Sequence, residues 1–311
     1  MTMHGVNRAK EALIGVEGIK VLYDEPMSRH TSLGVGGKAD ALVFVENQRQ
    51  LADLVGLLKE KEIDYFPAGN LTNVIVRDGG YRGAILLMTR MKNIRHRYEE
   101  GGACEVAAQA GASLAKLVGY TVTEALTGME FCAGIPGSVG GAVWMNAGAY
   151  GREIKDVITH MTVLDADGNI CRIRKEAVSF GYRRSDFAAG TIILDAEFRL
   201  EKGESGKMRE KINEILQWRQ EKHPLDFPSA GSVFKNLPGL AAGKIIEEMG
   251  LKGIVHGGAQ VSVKHANFII NRGEATASDV LALMAMIQSR AKEEKQVILE
   301  PEVVVIGEDP C

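Results

Sequence analysis

The segment GIPGSVGGAVWMNAGAYG, residues 134 to 151, decides how this sequence is interpreted. Four glycines fall between Gly134 and Gly141. Glycine lets backbone N–H groups turn toward a ligand and approach it closely, so such a segment can hold a pyrophosphate without a cationic side chain. For one isolated glycine-rich segment, however, tight turns and close packing are an equally physical explanation.

A second segment, GNLTN at residues 69 to 73, changes that balance. It combines a glycine with amide and hydroxyl side chains that can hydrogen-bond phosphate oxygens or ring carbonyls. Neither segment has the pattern G-x-G-x-x-G, and G-x-x-x-x-G-K-[ST] does not occur, which disfavours a Rossmann dinucleotide fold and a P-loop NTPase. Two such loops suggest a dinucleotide such as FAD, bound by a different architecture.

The composition excludes several other classes of protein. Glycine makes up 36 of 311 residues, above the ~7% usual in soluble domains. The net charge of −3 gives no field that would hold nucleic acid. The cysteines and histidines show no metal-like spacing, so we expect no metal. Without a signal sequence or a membrane span we expect a cytoplasmic protein with no membrane insertion, and no obligatory protein partner is evident.

Around the two segments, the apolar pattern predicts strands alternating with helices, followed by hairpins. Residues 41 to 46 predict a buried strand, and apolar residues at helical spacing from 51 to 58 predict an amphipathic helix. Residues 103 to 127 predict a strand and a helix, 157 to 173 a β-hairpin, and 191 to 200 another strand. This order favours an α+β layout over a doubly wound sheet.

The character of the sequence changes near residue 203, where EKGESGKMREK is charged and punctuated by glycine, and we place a domain boundary there. The elements predicted after it are a helix marked by Met208, Ile212, Ile215 and Leu216, a helix near 240 to 249 ended by Gly250, strands near 259 to 271, a helix over 276 to 295 opened by a capping box of Thr276 and Asp279, and a strand over 297 to 306.

Seven motifs, in order along nearly the whole chain, carry a specific resemblance. Together they resemble the UDP-N-acetylmuramate dehydrogenase family, also called UDP-N-acetylenolpyruvoylglucosamine reductase or MurB. The motifs are TSLGVGGKAD (31–40), GIPGSVGGAVWMNAGAYG (134–151), SFGYRRSDF (179–187), PLDFPSAGSVFKN (224–236), AGKIIEEMGLKG (242–253), GGAQVSVKHANFIIN (257–271) and LEPEVVVIG (299–307).

The resemblance implies a fold and a division into domains. The expected fold is α+β, with a vanillyl-alcohol oxidase-like (PCMH-type) FAD-binding region over residues 1–203 and a C-terminal α+β substrate-binding domain over 204–311. The FAD-binding region would contain two subdomains, about 20–90 and 91–203. The compact spacing of the motifs is similar to the shorter type of the family, which lacks an extra substrate-covering insertion.

The resemblance also implies the chemistry. The family uses NADPH to reduce non-covalently bound FAD, and then reduces UDP-N-acetylglucosamine enolpyruvate to UDP-N-acetylmuramate in peptidoglycan precursor synthesis. Arg183 matches the arginine that stabilises charge on the substrate, Ser232 the proton donor, and Glu302 the acid that assists. Considered without the motifs, each has an ordinary explanation: Arg183 as a surface residue, Ser232 as a turn residue and Glu302 as a solvent-facing carboxylate at a strand.

The carried-over binding residues form two groups. The expected substrate contacts are Tyr182, Lys222, Asn236, Gln260 and His265, although His265 could equally be a hydrogen-bonded core histidine. The expected cofactor contacts are Gly69, Asn70, Leu71, Thr72, Asn73, Gly134, Ile135, Pro136, Gly137, Ser138, Gly140, Asn146 and Ala147.

Leu71 departs from the family, which has a second glycine at this position of the flavin loop. If the backbone there has a positive φ, leucine would cost on the order of 1 kcal/mol or more in strain.

Two alternatives remain open at this stage. One is a flavoprotein oxidase of the same fold that uses oxygen to recover the flavin. The other is a non-catalytic module that binds flavin or nucleotide sugar and senses cell-wall precursors. The combination of Arg183, Ser232 and Glu302 suits a carboxylate-bearing alkene and favours the reductase.

Overall fold

A computed structural model of the chain describes residues 7–99 and 102–310. Within those residues, none of the helices combines the length and apolarity needed to cross a membrane. The described residues form four clusters of buried side chains, which lie within and between three structural units.

The first unit is a mixed four-stranded sheet with a helix packed on it. Its sheet has the order β1-β2-β5-β3, in which β2 and β3 run parallel to β5. The predicted stripe of apolar side chains on α2 is confirmed, since Leu51, Leu54, Val55 and Leu58 are all buried. The elements are α1 (Arg8–Leu13), β1 (Lys20–Pro26), β2 (Lys38–Phe44), α2 (Gln48–Glu60), β3 (Tyr65–Ala68), β4 (Val74–Val76) and β5 (Tyr81–Leu87).

The second unit is built on an antiparallel sheet of order β12-β11-β15-β7-β6, with β8 paired to the end of β15. Helices α3 and α4 cover its apolar face, and the predicted hairpin is confirmed as β11 and β12. The elements are β6 (Ile94–Tyr98), β7 (Cys104–Gln109), α3 (Leu114–Thr123), β8 (Leu126–Thr127), α4 (Val139–Trp144), β9 (Gly148–Ala149), β10 (Arg152–Glu153), β11 (Ile158–Leu164), β12 (Ile170–Arg174), β13 (Phe180–Gly181), β14 (Arg184–Ser185) and β15 (Ile192–Lys202).

The third unit has a four-stranded antiparallel sheet, β16-β19-β18-β17, with its buried side chains packed among those of α6 and α7. The capping box predicted for the last long helix is confirmed, because the side chains of Thr276 and Asp279 each accept a backbone N–H of the other. The elements are α5 (Ser205–Lys222), β16 (Ser229–Ser232), α6 (Ala242–Glu248), β17 (Val255–His256), β18 (Ala259–Val261), β19 (Phe268–Asn271), α7 (Ala277–Lys295) and β20 (Val304–Ile306).

The end of the chain returns to the first unit. Strand β20 pairs in parallel with β4, with Val305 opposite Ile75. The Asp78 carboxylate accepts the backbone N–H groups of Ala277 and Ser278, both at 2.8 Å, at the start of α7. The first and third units are therefore joined by a strand pair and by a helix cap.

The expected strand over residues 297 to 306 was wrong in its first part, since only Val304 to Ile306 form a strand. The preceding residues leave α7 through Gln296, which has a left-handed φ of 56°. They then lie against the segment after β16, where Pro301 forms an isolated bridge to Phe234. Proline has no N–H to donate to a longer ladder, which explains the late start of β20.

Candidate functional site

The two glycine-rich loops meet in space and form one surface. Gly69 lies against Ser138 so closely that a Cβ at Gly69 would be 2.0 Å from the Ser138 Oγ. The Thr72 hydroxyl lies 3.5 Å from the carbonyl oxygen of Pro136. A Cβ at Gly137 would lie 3.3 Å from the same hydroxyl. We call residues 69–73 and 134–138 the paired loops.

Leu71 occupies the strained backbone conformation considered for it. Its φ is 52°, in the left-handed region, and its side chain is only 3% exposed. It packs in a core with Met27, Val74 and Ile85 among others. Burial of the leucine side chain therefore compensates for the backbone strain, and the loop keeps a glycine-like turn without glycine.

Several cofactor candidates in the second loop and at the start of α4 contact other parts of the protein. Gly140 lies against β7 and the residues after it, because a Cβ there would be 2.8 Å from the Ala110 Cβ. Ser138 is buried, and its Oγ accepts the Gly141 N–H as the N-cap of α4. Ile135 packs on the core of the second unit. Of the remaining cofactor candidates, Gly134 is exposed while Asn70, Asn73 and Ala147 are half-buried.

Arg183 and Glu302, which are far apart in sequence, form a direct ion pair. The Arg183 Nε donates to the Glu302 Oε1 at 2.9 Å, and its Nη2 donates to the Gly148 carbonyl at 2.9 Å. The guanidinium also lies 5.0 Å from the centre of the Tyr182 ring. Both ionic side chains are about one-fifth exposed. The pair bridges the second and third units.

Burial raises the pKa of the Glu302 carboxyl, while Arg183 and Lys235 act in the opposite direction. Desolvation disfavours the charged carboxylate, and the nearby cations favour it. The raised pKa places Glu302 closer to neutral pH than an exposed glutamate. Such a shift in a group that also contacts an arginine is typical of functional sites.

The backbone next to Ser232 is hydrogen-bonded to the backbone of Glu302. Ser232 ends β16, and the carbonyl of the following Val233 accepts the Glu302 N–H at 2.7 Å. Asn267 fixes the same segment, since its side chain accepts the Phe234 N–H and donates to the Phe234 carbonyl. The backbone segment that carries Ser232 therefore lies beside the ion pair of Arg183 and Glu302, where the second and third units meet.

Two of the expected substrate contacts also lie at this junction. The Tyr182 hydroxyl accepts the Asn236 N–H at 3.4 Å. The Asn236 Oδ1 accepts the Ala242 N–H at 3.0 Å at the start of α6. The side-chain carbonyl of Asn236 is therefore engaged within the protein, and its NH2 group is the part available to a ligand.

The other three expected substrate contacts are placed differently. Lys222 is exposed at the end of α5. The Gln260 side chain donates to the Gly253 carbonyl at 3.0 Å. His265 accepts the Asn267 N–H and packs on Phe268, and burial lowers its pKa. These contacts fit the core-histidine explanation of His265 at least as well as a ligand.

Arg219 was not selected from the sequence, although it lies beside the paired loops. A Cβ at Gly134 would be 2.7 Å from the Arg219 Cδ. Burial lowers the pKa of Arg219, and the nearby Tyr150 hydroxyl opposes this. Among the described ion pairs, none involves Arg219. A half-buried guanidinium without a carboxylate partner suits a phosphate. The available signal was its position one helical turn before Lys222.

One group of potential metal ligands occurs among the described residues, at a different place. Glu105, His160 and Glu197 have ligand atoms within 4.8 Å of one another on the large sheet. Arg172 already binds Glu197 through two nitrogens, and Arg97 pairs with Glu105. These guanidinium groups neutralise the carboxylates, so the group gives no reason to propose a metal.

Comparison with known proteins gives consistent matches along the chain. A family model described as "FAD binding domain" matches residues 39–174, and one described as "UDP-N-acetylenolpyruvoylglucosamine reductase, C-terminal domain" matches residues 223–306. A UDP-N-acetylenolpyruvoylglucosamine reductase from Syntrophus aciditrophicus is 46% identical, and one from Geobacillus thermodenitrificans is 43% identical. Each alignment covers 96% of both chains.

A solved structure also matches nearly the whole chain. It is the crystal structure of UDP-N-acetylenolpyruvylglucosamine reductase (MurB) from Thermus caldophilus, with 33% sequence identity and a TM-score of 0.77. The match covers 92% of this chain and 98% of the other. The expected α+β fold, an FAD-binding region followed by a C-terminal domain, is confirmed.

Proposed function

The chain belongs to the family of UDP-N-acetylenolpyruvoylglucosamine reductases, and from this membership we propose that it is an FAD-dependent oxidoreductase of peptidoglycan precursor synthesis. Its substrate would be UDP-N-acetylglucosamine enolpyruvate, its product UDP-N-acetylmuramate and its electron donor NADPH. The observation that carries the proposal is the contact between Arg183 and Glu302 beside Ser232. These are the residues expected to act on the enolpyruvyl group.

The paired loops fit the pyrophosphate of a dinucleotide. Their closest approach, at Gly69 and Ser138, leaves no room for a side chain on Gly69, so backbone N–H groups can face a ligand there. Thr72 offers a hydroxyl, and Arg219 offers a guanidinium that none of the described carboxylates neutralises. We propose that these residues, with the other loop residues expected from the sequence, hold FAD without a covalent bond.

Side chains of the protein would stabilise the charge and transfer the proton during reduction of the enolpyruvyl group. FAD held there would, once reduced, supply a hydride to the methylene of the enolpyruvyl group, and negative charge would then develop on the carbon next to the carboxylate. Arg183 stabilises this charge, since its planar fork of donors suits a carboxylate becoming an enediolate. Ser232 donates the proton to that carbon. Glu302 holds the guanidinium in place and, with its raised pKa, assists the proton transfer.

The division into domains follows the same assignment. We propose that residues 1–203, with subdomains at about 20–90 and 91–203, hold FAD and that residues 204–311 bind the sugar nucleotide. Asn236, with Tyr182 beside it, would contact the substrate at the junction, and the exposed Lys222 would contact it from the end of α5. Gln260 and His265 would act through the packing of the C-terminal sheet. An activity on this cytoplasmic intermediate would place the protein in the cytoplasm.

The proposed function is tested by the anaerobic flavin spectrum of the purified protein. NADPH should bleach the yellow flavin, and UDP-N-acetylglucosamine enolpyruvate should restore the colour in the absence of oxygen. A matched variant, Ser232→Ala, should keep the bleaching by NADPH and recover its colour at least 100-fold more slowly, because only the proton donor is missing.

Other outcomes would indicate another function. Recovery of the colour by oxygen alone, with no response to the enolpyruvyl substrate, would indicate a flavoprotein oxidase. Tight binding of the substrate with no spectral change after reduction would indicate a non-catalytic sensor of nucleotide sugars. A protein that binds no flavin contradicts the whole proposal.

A further inference from the structure

Asn146 lies at the centre of a network of hydrogen bonds to other groups of the protein. It is completely buried and has a left-handed φ of 42°. Its Nδ2 donates to the Glu153 carboxylate and to the Gly181 carbonyl, each at 2.9 Å. Its Oδ1 accepts the Lys155 N–H at 3.0 Å. An amide side chain has two N–H donors, and both are used. The side chain therefore has no donor left for a cofactor.

The bonds of Asn146 reach both segments that place Arg183. Gly181 lies two residues before Arg183, in the hairpin of β13 and β14. Gly148 lies two residues after Asn146, and its carbonyl accepts the Arg183 Nη2 at 2.9 Å. A single buried side chain thus fixes the segment that carries the arginine relative to the segment that receives its guanidinium.

The backbone at Arg183 makes such support necessary. Arg183 has a φ of 53°, in the left-handed region that non-glycine residues seldom adopt. A strained conformation persists only where surrounding contacts determine it. The contacts with Gly148 and Glu302 hold the guanidinium, and the bond from Asn146 to Gly181 holds the backbone. Loss of that bond would let the hairpin relax and move the guanidinium away from the developing charge.

We propose that Asn146 is a positioning residue for the reduction of the enolpyruvyl group, and that it acts only through Arg183. This inference rests on the proposed function. It assigns Asn146 a role different from the cofactor contact expected from the sequence. Its effect should fall on the transfer from reduced flavin to the substrate, and not on the reduction of the flavin by NADPH.

The experiment uses the holoenzyme with two variants of Asn146. Asn146→Gly removes the side chain while allowing the positive φ without strain. Asn146→Ser keeps a small neutral polar side chain that is too short to make both donor bonds, so it is used if the glycine variant folds poorly. Each is also combined with Arg183→Ala. Anaerobic stopped-flow then measures flavin reduction by NADPH and flavin reoxidation by UDP-N-acetylglucosamine enolpyruvate.

Asn271→Ala is the matched control. Asn271 is also a buried asparagine whose side chain bridges distant segments, bonding to Leu33, Gly273 and Ala275. It has no hydrogen bond to the hairpin of Arg183. If burial and bridging alone mattered, this variant would resemble those of Asn146. We expect it to leave the ratio of the two rates within about twofold of the parent.

For either Asn146 variant we expect reoxidation to slow at least tenfold while reduction stays within about twofold. In the Arg183→Ala background, the same change should cost less than twofold, because the residue through which Asn146 acts is already missing. Equal slowing of both half-reactions, or an undiminished loss in that background, would overturn the positioning role. A parent protein that NADPH reduces but the substrate does not reoxidise would instead overturn the proposed function.

Discussion

Leu71 shows how one residue can hold a turn that usually requires glycine. A left-handed conformation costs a non-glycine residue ~1–2 kcal/mol. Full burial of a leucine side chain contributes ~1.5–3 kcal/mol. Since Leu71 is left-handed and 3% exposed, the second effect offsets the first. The turn at Leu71 is thus fixed by packing, where a glycine would rely on backbone freedom.

This balance predicts an unusual order of stability for two variants. Leu71→Ala should lower the free energy of unfolding by about 2–4 kcal/mol, because it leaves a cavity and keeps the strain. Leu71→Gly removes one more carbon but also the strain, so it should be the more stable of the two by about 0.5–1 kcal/mol. Urea denaturation of the three proteins measures this, and a glycine variant less stable than the alanine variant would contradict it.

His223 makes the stability of the fold depend on pH. Its ring packs on Phe268 and His265, and its Nδ1 is buried without a partner among the described residues. Burial, together with the neighbouring Arg219, His265 and Lys264, lowers the pKa of His223 to about 4. An unfolded histidine takes up its proton near pH 6.5. Stability from this site is therefore complete above about pH 6.5 and is lost as the pH falls toward 4.

We expect His223→Gln to remove this dependence. Between pH 7 and pH 4 the parent should lose on the order of 1–2 kcal/mol of unfolding free energy relative to the variant, after allowance for partial solvent screening. His256→Gln, at an exposed position of β17, is the control. Burial raises the pKa of Asp195 to about 6, which acts in the opposite direction but is common to all three proteins. A difference that does not change with pH would contradict the assignment.

At the scale of elements, the contact between the paired loops should control flavin affinity. An alanine Cβ at Gly69 would overlap Ser138, so Gly69→Ala must push the loops apart. We expect at least a tenfold weaker binding of FAD, measured by quenching of flavin fluorescence as apoprotein is added. Gly56→Ala is the control, because Gly56 is exposed in the middle of α2 with no atoms near its Cβ position. It should bind FAD as the parent does and gain up to ~1 kcal/mol of stability.

Elements whose residues share one partner could be predicted from the sequence. Helix α2 follows from a single apolar period because its buried side chains all pack on one core, and the hairpin of β11 and β12 follows because its two strands pair with each other across a short turn. Residues 297 to 306 were misjudged because they change partners midway, from the segment around Phe234 to strand β4. Apolar periodicity contains no information about such a change.

The candidate site also contains some residues that the sequence indicates and others that only the folded structure identifies. Arg183, Ser232 and Glu302 could be selected as candidates because each stands in a motif, and their catalytic roles stay predictions. The engagement of Asn146 within the protein could not be predicted, because it depends on carbonyl and carboxylate positions in β10 and β13. Arg219 was missed because its significance lies in the absence of a counter-charge among the described residues. That is a property of the folded environment and not of the residue type.

At the scale of the whole molecule, Asp78 couples the first unit to the third. Its carboxylate accepts two N–H groups at the start of α7, which are otherwise unpaired in a helix. Asp78→Ala should lower the free energy of unfolding by about 1–2 kcal/mol. Asp53→Ala, on the exposed face of α2, should change it by less than about 0.5 kcal/mol. Denaturation followed by near-ultraviolet circular dichroism measures both, and equal losses would contradict the capping role.

The pairing of β20 with β4 also fixes the order in which the protein can be completed during synthesis. Strand β4 is translated long before its partner, β20. Until then, Val74 to Val76 present an unpaired edge, which is a site for aggregation in a nascent chain. Glu302, two residues before β20, reaches Arg183 at the same late stage. Residues 302 to 306 therefore close the strand edge and complete the ion pair together, and a chain interrupted before residue 302 has neither.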